Sequence, residues 1–185
     1  PARISFPARR SSDLLINQVL DLSRIEAEKL DLDYQDVKPV LVIAEALSLI
    51  KNIADEKQIS IDCDLAAFTD QVIQTDPMRL KQVMLNLLSN AVKYNKHQGK
   101  IRIKIDKPAG TTISLHIEDT GRGIAAEHLE RVFHPFDRLD SQSYVVEGTG
   151  IGLTICRHLV QMMNGTIDVT SELGQGSCFT VTLPC

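Results

Sequence analysis

Two glycine-rich turns most constrain the fold that this chain can adopt. They are DTGRGI at residues 119–124 and GTGIGL at residues 148–153. Glycine lacks a Cβ, so such turns can adopt positive φ angles and let a ligand approach the backbone closely. The second turn leads into a helix, because Ile151, Ile155 and Leu159 recur at helical spacing. The free N–H groups at a helix N-terminus favour a phosphate. An isolated turn of this kind also occurs as a plain loop.

Composition limits the class of protein. A chain of 185 residues suits one domain plus an extra segment, and 43% hydrophobic and 24% charged residues are typical of a folded protein. The net charge of −4 gives no reason to expect nucleic acid as a partner. No apolar run approaches the ~20 residues that a membrane span needs, and no signal peptide is visible. The four scattered cysteines lack CxxC spacing, which favours reduced, buried thiols in a cytosolic protein.

The first part of the chain predicts a separate helix over residues 13–29. Its apolar residues form a coiled-coil-like stripe: Leu15, Val19, Leu22 and Ile25. Such a stripe needs a partner helix, so it packs either on the following domain or on another chain. We therefore divide the sequence into residues 1–29 and residues 30–185.

Alternating and helical patterns predict the elements that follow. Strands are predicted at residues 30–34, 59–65 and 72–75, in IRIKID and TISLHIED, and in a closing hairpin of TIDVTS and SCFTVTLP. Helices are predicted to start at Asp36 and Pro39, at Asp76 and Pro77, at AAEHLERV, and after the second glycine turn. The fold class is thus an α/β two-layer sandwich, with a mixed, mostly antiparallel sheet, helices on one face, and the separate helix in front.

The helix that follows Pro77 carries a polar face made of Asn86, Asn90 and Lys93. On spacing alone, such a face is more often solvated surface than a site. Its chemistry nevertheless suits a magnesium nucleotide, because an asparagine carbonyl is a hard ligand for Mg²⁺ and a lysine is a point charge for phosphates. Tyr94 adds a flat face that could lie on a purine ring.

Asp119 ends an apolar strand just before the TGRG turn. A carboxylate in this position is usually a turn-former. It could instead accept a hydrogen bond from an exocyclic amine, which would select adenine over guanine.

Four stretches together resemble the boxes of histidine kinase catalytic domains, in the family's order. NLLSNAVKYN at 86–95 resembles the N box, DTGRGI the G1 box, VFHPFDRLD at 132–140 the F box, and GTGIGL the G2 box. The closing SELGQGSCFTVTLP also resembles that family's last hairpin. The resemblance covers residues 36–185 and implies the Bergerat-type ATP-binding fold shared with gyrase, Hsp90 and MutL.

The resemblance implies a role for each matching residue. Asn90 would hold Mg²⁺, Lys93 would contact phosphates, Tyr94 would contact adenine, and Asp119 would bind the adenine amino group. Asn86 stands where gyrase-like ATPases carry a general-base glutamate, so activation of water for hydrolysis is not expected.

The glycine boxes and the segment between them supply the remaining implied contacts. Arg138 would reach the γ-phosphate, and residues 138–148 would form a lid that is mobile until nucleotide binds. The other implied ATP-binding residues are Gly121, Gly123, Ile124, Thr149, Gly150, Gly152 and Leu153. Phe133 and Phe136 are either the F-box aromatics or simply core.

The helix at 13–29 resembles the end of the second helix of the family's dimerisation and phosphoacceptor domain. The H box, with its phosphoacceptor histidine, is not found in this chain. Its five histidines are His97, His116, His128, His134 and His158. All lie within the ATP-binding part and are interpreted as surface or satisfied core residues.

The sequence therefore predicts the catalytic ATP-binding domain of a sensor histidine kinase, with ATP and Mg²⁺ as cofactors. It would transfer the γ-phosphoryl group to a histidine outside this chain, and a response-regulator aspartate would receive it next. We expect a homodimeric parent protein and a cytoplasmic location, whether or not the parent is anchored in the inner membrane. The alternative is a nucleotide-binding module without kinase activity, either a degenerate sensor platform or an ATP-gated clamp.

Overall fold

The computed structural model describes residues 30–63, 65, 68–106, 110–137 and 149–185. The predicted helix at 13–29 lies outside the described residues, as do Arg138 and the rest of the predicted lid.

Three helices and seven strands form the described part of the chain. The helices are α1 (Pro39–Glu56), α2 (Pro77–Lys93) and α3 (Gly152–Met162). The strands are β1 (Gln35–Val37), β2 (Ser60–Cys63), β3 (Ile73–Thr75), β4 (Lys100–Ile105), β5 (Thr112–Asp119), β6 (Thr166–Glu172) and β7 (Gly176–Pro184).

The main sheet has five strands in the order β2-β4-β5-β7-β6. Strands β2 and β4 are parallel, and the other neighbours are antiparallel. Strands β1 and β3 form a separate antiparallel pair. The mixed, mostly antiparallel sheet confirms the predicted fold class.

The core lies between one face of this sheet and the helices. In β4, Ile101, Ile103 and Ile105 are buried while the alternate Arg102 and Lys104 are exposed, as the alternating sequence predicts. Each helix turns one apolar face to the same layer, with Ile43, Leu87 and Leu159 among the fully buried side chains. None of the helices in the described ranges is long and apolar enough to cross a membrane.

The predicted start of α2 is confirmed. Asp76 is the N-cap: its Oδ1 accepts hydrogen bonds from the backbone N–H groups of Met78 and Arg79, at 2.9 and 3.0 Å. Pro77 occupies the first helical position. The other carboxylate oxygen of Asp76 accepts from Asp33 N at 3.0 Å, so one buried side chain joins the incoming segment to α2.

The prediction for residues 30–36 is wrong in two respects. Residues 30–34 form no strand, whereas Gln35–Val37 does, because it pairs with Ile73–Thr75. Asp36 therefore lies in a strand instead of opening a helix. The helix begins at Pro39, and its N-cap residue, Lys38, makes no capping side-chain bond.

Two smaller predictions also need correction. The helix expected in AAEHLERV is only a short 3-10 turn, Ala126–His128, which further turns follow. Of the four free cysteines, only Cys156 is buried, and Cys185 is exposed. Burial raises the pKa of the Cys156 thiol to about 12.

Candidate nucleotide site

The polar face predicted on α2 is present. Asn86 and Asn90 are half-buried, and the Asn90 Nδ2 donates to Asn86 Oδ1 at 3.4 Å. The helix buries Val83 and Leu87 beside them against the core. These asparagines therefore lie at the edge of the packed layer and not on a fully solvated face.

Asn86 contacts the second glycine turn. A Cβ added at Gly152 would lie 2.6 Å from Asn86 Nδ2 and 2.7 Å from Asn86 Oδ1. Real Cβ atoms do not come so close, so the side-chain amide occupies the space that glycine leaves open. The structure thus brings the N-box and G2-box residues together.

The N-terminus of α3 is open to a ligand. Among the described residues, no side chain caps this helix, whose N-cap residue is Ile151. The turn before it uses a positive φ of 71° at Gly150, and the Ile151 N–H donates to Thr149 Oγ1 at 3.3 Å. The N–H groups of Gly152 and Leu153 belong to the first helical turn, where backbone N–H groups have no hydrogen-bond partner within the helix. This arrangement suits an anion.

Asp119 lies near the opposite end of the α2 polar face. Its Oδ1 accepts a hydrogen bond from Gly121 N at 2.7 Å, and a Cβ added at Gly121 would collide with the carbonyl oxygen of Tyr94. Burial raises the pKa of Asp119, while hydrogen bonds from the backbone N–H groups of Gly121 and Ser177 lower it. The carboxylate is thus held at the end of β5, in the turn that packs on Tyr94 just after α2.

The G1 turn is fixed between α2 and the closing hairpin. At Gly123 the φ angle is 69°, and a Cβ there would collide with the carbonyl oxygen of Glu172. Ile124 N donates to Ser171 Oγ at 2.8 Å. Because both residues contact the hairpin, the turn has little room to move.

Tyr94 follows α2 and is flanked by two cations. The Lys93 Nζ lies 5.0 Å from the centre of the Tyr94 ring, and the Arg122 Cζ lies 4.6 Å from it. Sequence reasoning identified Lys93 and Tyr94 but missed Arg122. Only the position of Arg122 within DTGRGI, between two named glycines, could have drawn attention to it.

The predicted residues thus form two groups along α2. Asn86, Asn90 and the start of α3 make one end, and the other end consists of Lys93, Tyr94, Asp119 and the G1 turn. Lys93 lies at the aromatic end in this structure.

The F-box aromatics differ in their surroundings. Phe133 packs against the core, and its carbonyl accepts from Thr154 Oγ1 at 3.0 Å. Phe136 is exposed, and its N–H donates to the carbonyl of Gly150 at 3.0 Å. The stretch therefore supports the turn before α3 through its backbone.

The histidines make no metal site in the part of the chain that the structure describes. No group of three or more His, Cys, Asp or Glu side chains there could hold a metal ion. His116 bonds Asp106 and Thr180, and His158 bonds the carbonyl of Thr154 within its own helix.

Comparisons with known proteins agree with this geometry. Residues 75–185 match the histidine kinase-, DNA gyrase B- and HSP90-like ATPase family. The sensor histidine kinase RcsC of Escherichia coli is 37% identical over 186 residues, which cover 98% of this chain and 19% of RcsC. Full-length ShkA, solved in complex with AMPPNP, has a TM-score of 0.79 at 27% identity, covering 99% of this chain and 40% of ShkA.

A separate catalytic domain matches over nearly its whole length. That domain, from histidine kinase ThkA, has a TM-score of 0.70 at 26% identity and covers 83% of this chain and 96% of the ThkA domain. By contrast, this chain spans only 9% to 20% of the length of the first curated relatives. The chain therefore belongs to the histidine kinase-, DNA gyrase B- and HSP90-like ATPases, as the catalytic ATP-binding domain of a sensor histidine kinase.

Proposed function

We propose that this chain binds Mg–ATP along α2 and, within a longer protein, supplies the γ-phosphoryl group to a histidine of a phosphoacceptor domain. A response-regulator receiver domain would then take the phosphoryl group on an aspartate. Residues 1–29 would be the end of the dimerisation helix of a homodimeric parent, and residues 30–185 the catalytic domain on the cytoplasmic side.

One observation carries the proposal. A single helix, α2, touches an open helix N-terminus through Asn86. Tyr94 follows the end of α2, and its carbonyl packs on the turn that holds Asp119. The first contact suits phosphates, and the second suits a base with an exocyclic amine. A molecule with both groups, separated by a sugar, matches this arrangement. ShkA, solved with the ATP analogue AMPPNP, supports the same ligand class.

The residues present fit a magnesium ion at the phosphate end. The bond from Asn90 to Asn86 uses the Asn90 amide nitrogen and not its carbonyl oxygen. That oxygen is a hard ligand of the kind that Mg²⁺ takes together with phosphate oxygens and water. When bound, the ion would neutralise charge on the phosphates. Asn90 would hold it.

The chain's own contribution to transfer is positioning and charge. Arg138 would supply positive charge, and so would Lys93 once its flexible side chain turns from the Tyr94 ring toward the phosphates. The N–H groups of Gly150, Gly152 and Leu153 would bind phosphate oxygens. Thr149 and Ile124 would complete the pocket that Gly121 and Gly123 shape. The Asn86 side chain is an amide and cannot accept a proton as a general base, which favours transfer to a histidine over hydrolysis.

Calorimetry with ATP, with and without Mg²⁺, tests the site. Asn90→Ala should abolish the tightening of ATP binding by Mg²⁺. Asn52→Ala, on the exposed side of α1, is the matched control and should keep it. An unchanged Mg²⁺ response in Asn90→Ala would contradict the assigned metal ligand.

A transfer assay tests the activity. The protein, Mg–ATP and a separately supplied phosphoacceptor domain should yield phosphohistidine on that domain. ATP binding without transfer would favour the alternative, a nucleotide-binding module without kinase activity.

A further inference from the structure

Arg122 lies in the middle of the G1 turn, between Gly121 and Gly123. Its guanidinium carbon is 4.6 Å from the centre of the Tyr94 ring. A planar guanidinium at this distance from an aromatic ring is attracted to the ring's electrons and can stack on it. The contact joins two chain segments that are distant in sequence.

The backbone of Arg122 is held on both sides. Its N–H donates to the carbonyl of Tyr94 at 3.2 Å, and its own carbonyl accepts from Gly174 N at 2.6 Å. The first bond ties it to the end of α2 and the second to the hairpin between β6 and β7. These two bonds hold the Arg122 backbone in place, so its guanidinium extends to the ring from a fixed point.

We propose that Arg122 is a positioning residue for the base end of the site, because it holds the Tyr94 ring ready for a purine. This inference rests on the proposed nucleotide site. A purine whose amino group meets Asp119 then finds an aromatic surface already in place. If the ring is already ordered, less side-chain entropy is lost when the purine binds, and the affinity is higher.

Lys93 also lies near the Tyr94 ring, but its loss should affect ligand binding differently from the loss of Arg122. Its Nζ lies 5.0 Å from the Tyr94 ring centre, but its proposed role is to contact phosphates. Loss of Lys93 should therefore weaken ATP more than adenosine. Loss of Arg122 should weaken both ligands by the same factor, because it acts through the base.

The experiment measures the affinities of ATP, ADP and adenosine for the wild-type protein, Arg122→Met, Arg122→Lys and Lys93→Met. Arg122→Met keeps an unbranched stem and removes the cation. It should weaken all three ligands alike, by about 2- to 30-fold, the range of a cation–π contact. Arg122→Lys keeps a cation on the same fixed backbone but loses the planar guanidinium, so it should recover only part of the loss. Thermal unfolding of each variant separates a binding effect from a loss of folded protein.

A double substitution decides whether Arg122 acts through the ring. In a Tyr94→Leu background, Arg122→Met should cause no further loss for adenosine. Wild-type affinities in Arg122→Met, a loss confined to ATP and ADP, or an undiminished loss in the Tyr94→Leu background would each overturn the inference. A wild-type protein that binds none of the three ligands would overturn the proposed nucleotide site itself.

Discussion

The side-chain amide of Asn86 lies against the α-carbon of Gly152, so that an added Cβ would be 2.6 Å from Asn86 Nδ2. Gly152 opens α3, and its φ angle is not positive. Glycine is therefore needed here for space and not for an unusual backbone. The contact sets the distance between the polar face of α2 and the N–H groups at the start of α3.

Gly152→Ala should separate folding from nucleotide binding. Alanine is the better helix former by about 1 kcal/mol, so the free energy of unfolding should fall little or not at all. The new methyl group must displace the Asn86 amide, and we expect weaker ATP binding by about 10- to 150-fold, the cost of one hydrogen bond to a charged group. Calorimetry and chemical denaturation on the same samples measure the two effects.

Gln161→Ala is the control for this substitution, because it lies on the exposed side of the same helix. It should bind ATP as the wild-type protein does. Wild-type affinity in Gly152→Ala would show that the position of Asn86 does not matter for the ligand.

Asp119→Asn should weaken ATP binding by about 10- to 150-fold, because it removes the charge from a half-buried hydrogen-bond acceptor. The asparagine carbonyl can still accept from Gly121 N, so the turn should keep its shape. Calorimetry measures the affinity, and an amide NMR spectrum checks the turn. Unchanged ATP affinity would exclude Asp119 as the base-binding residue.

The same substitution should alter the pH dependence of stability. Burial raises the pKa of Asp119 in the folded state above its ordinary value of 3.8. Between the unfolded and folded pKa values the folded state binds more protons, so its stability falls as the pH rises through that window. Above the window, Asp119→Asn should be at least as stable as the wild-type protein, and below pH 3.8 this advantage should vanish. Denaturation curves across this range would contradict the assignment if the wild-type protein gained stability relative to the variant as the pH rose.

Asp76→Ala should destabilise the fold without touching the ligand. The carboxylate caps α2 and also accepts from Asp33 N. Loss of the cap alone costs about 0.5–2 kcal/mol, and loss of the hydrogen bond from Asp33 N adds about 0.5–1.5 kcal/mol. Asp76→Asn keeps a capping oxygen but presents its amide to Asp33 N, so its free energy of unfolding should lie between alanine and wild type. Equal stability of the three proteins in urea would show that the cap is unimportant.

Asp76 also shows what sequence can predict here. Its capping role can be predicted because Asp76 and Pro77 stand directly before an apolar helical repeat. The capping hydrogen bonds are also local, since their donors lie within three residues of Asp76. The alternation of Leu30 and Leu32 was equally clear, yet it reflects packing against the core and no strand pairing. Strand β1 depends on Ile73–Thr75, far along the chain, and no local pattern reports such a partner.

The candidate site likewise has residues that the sequence could predict and contacts that it could not. Asn86, Asn90 and Asp119 could be named because their residue types and spacing suit a nucleotide, and the four boxes fixed their order. The contact of Arg122 with Tyr94 could not be named, because it arises only when the G1 turn docks against the end of α2. The close approach of Asn86 to Gly152 likewise depends on how two helices pack.

The described surroundings of two histidines argue against an acceptor inside this chain. Both ring nitrogens of His116 are engaged, with Thr180 Oγ1 at 3.0 Å and Asp106 Oδ2 at 2.9 Å. His158 lies on α3 and uses Nδ1 on the carbonyl of Thr154 at 2.9 Å. Neither is part of the apolar stripe at residues 13–29 that would face a partner helix.

We therefore predict that this chain does not phosphorylate itself, although it binds ATP. Incubation with γ-labelled ATP and Mg²⁺ should leave the protein unlabelled, because the H box is not within these 185 residues. A phosphoacceptor domain added to the same mixture is the positive control and should become labelled. Calorimetry on the same preparation should still report ATP binding. Acid-labile, base-stable phosphate on any of the five histidines would contradict the prediction and would place an acceptor inside the ATP-binding domain, namely at His97, His116, His128, His134 or His158.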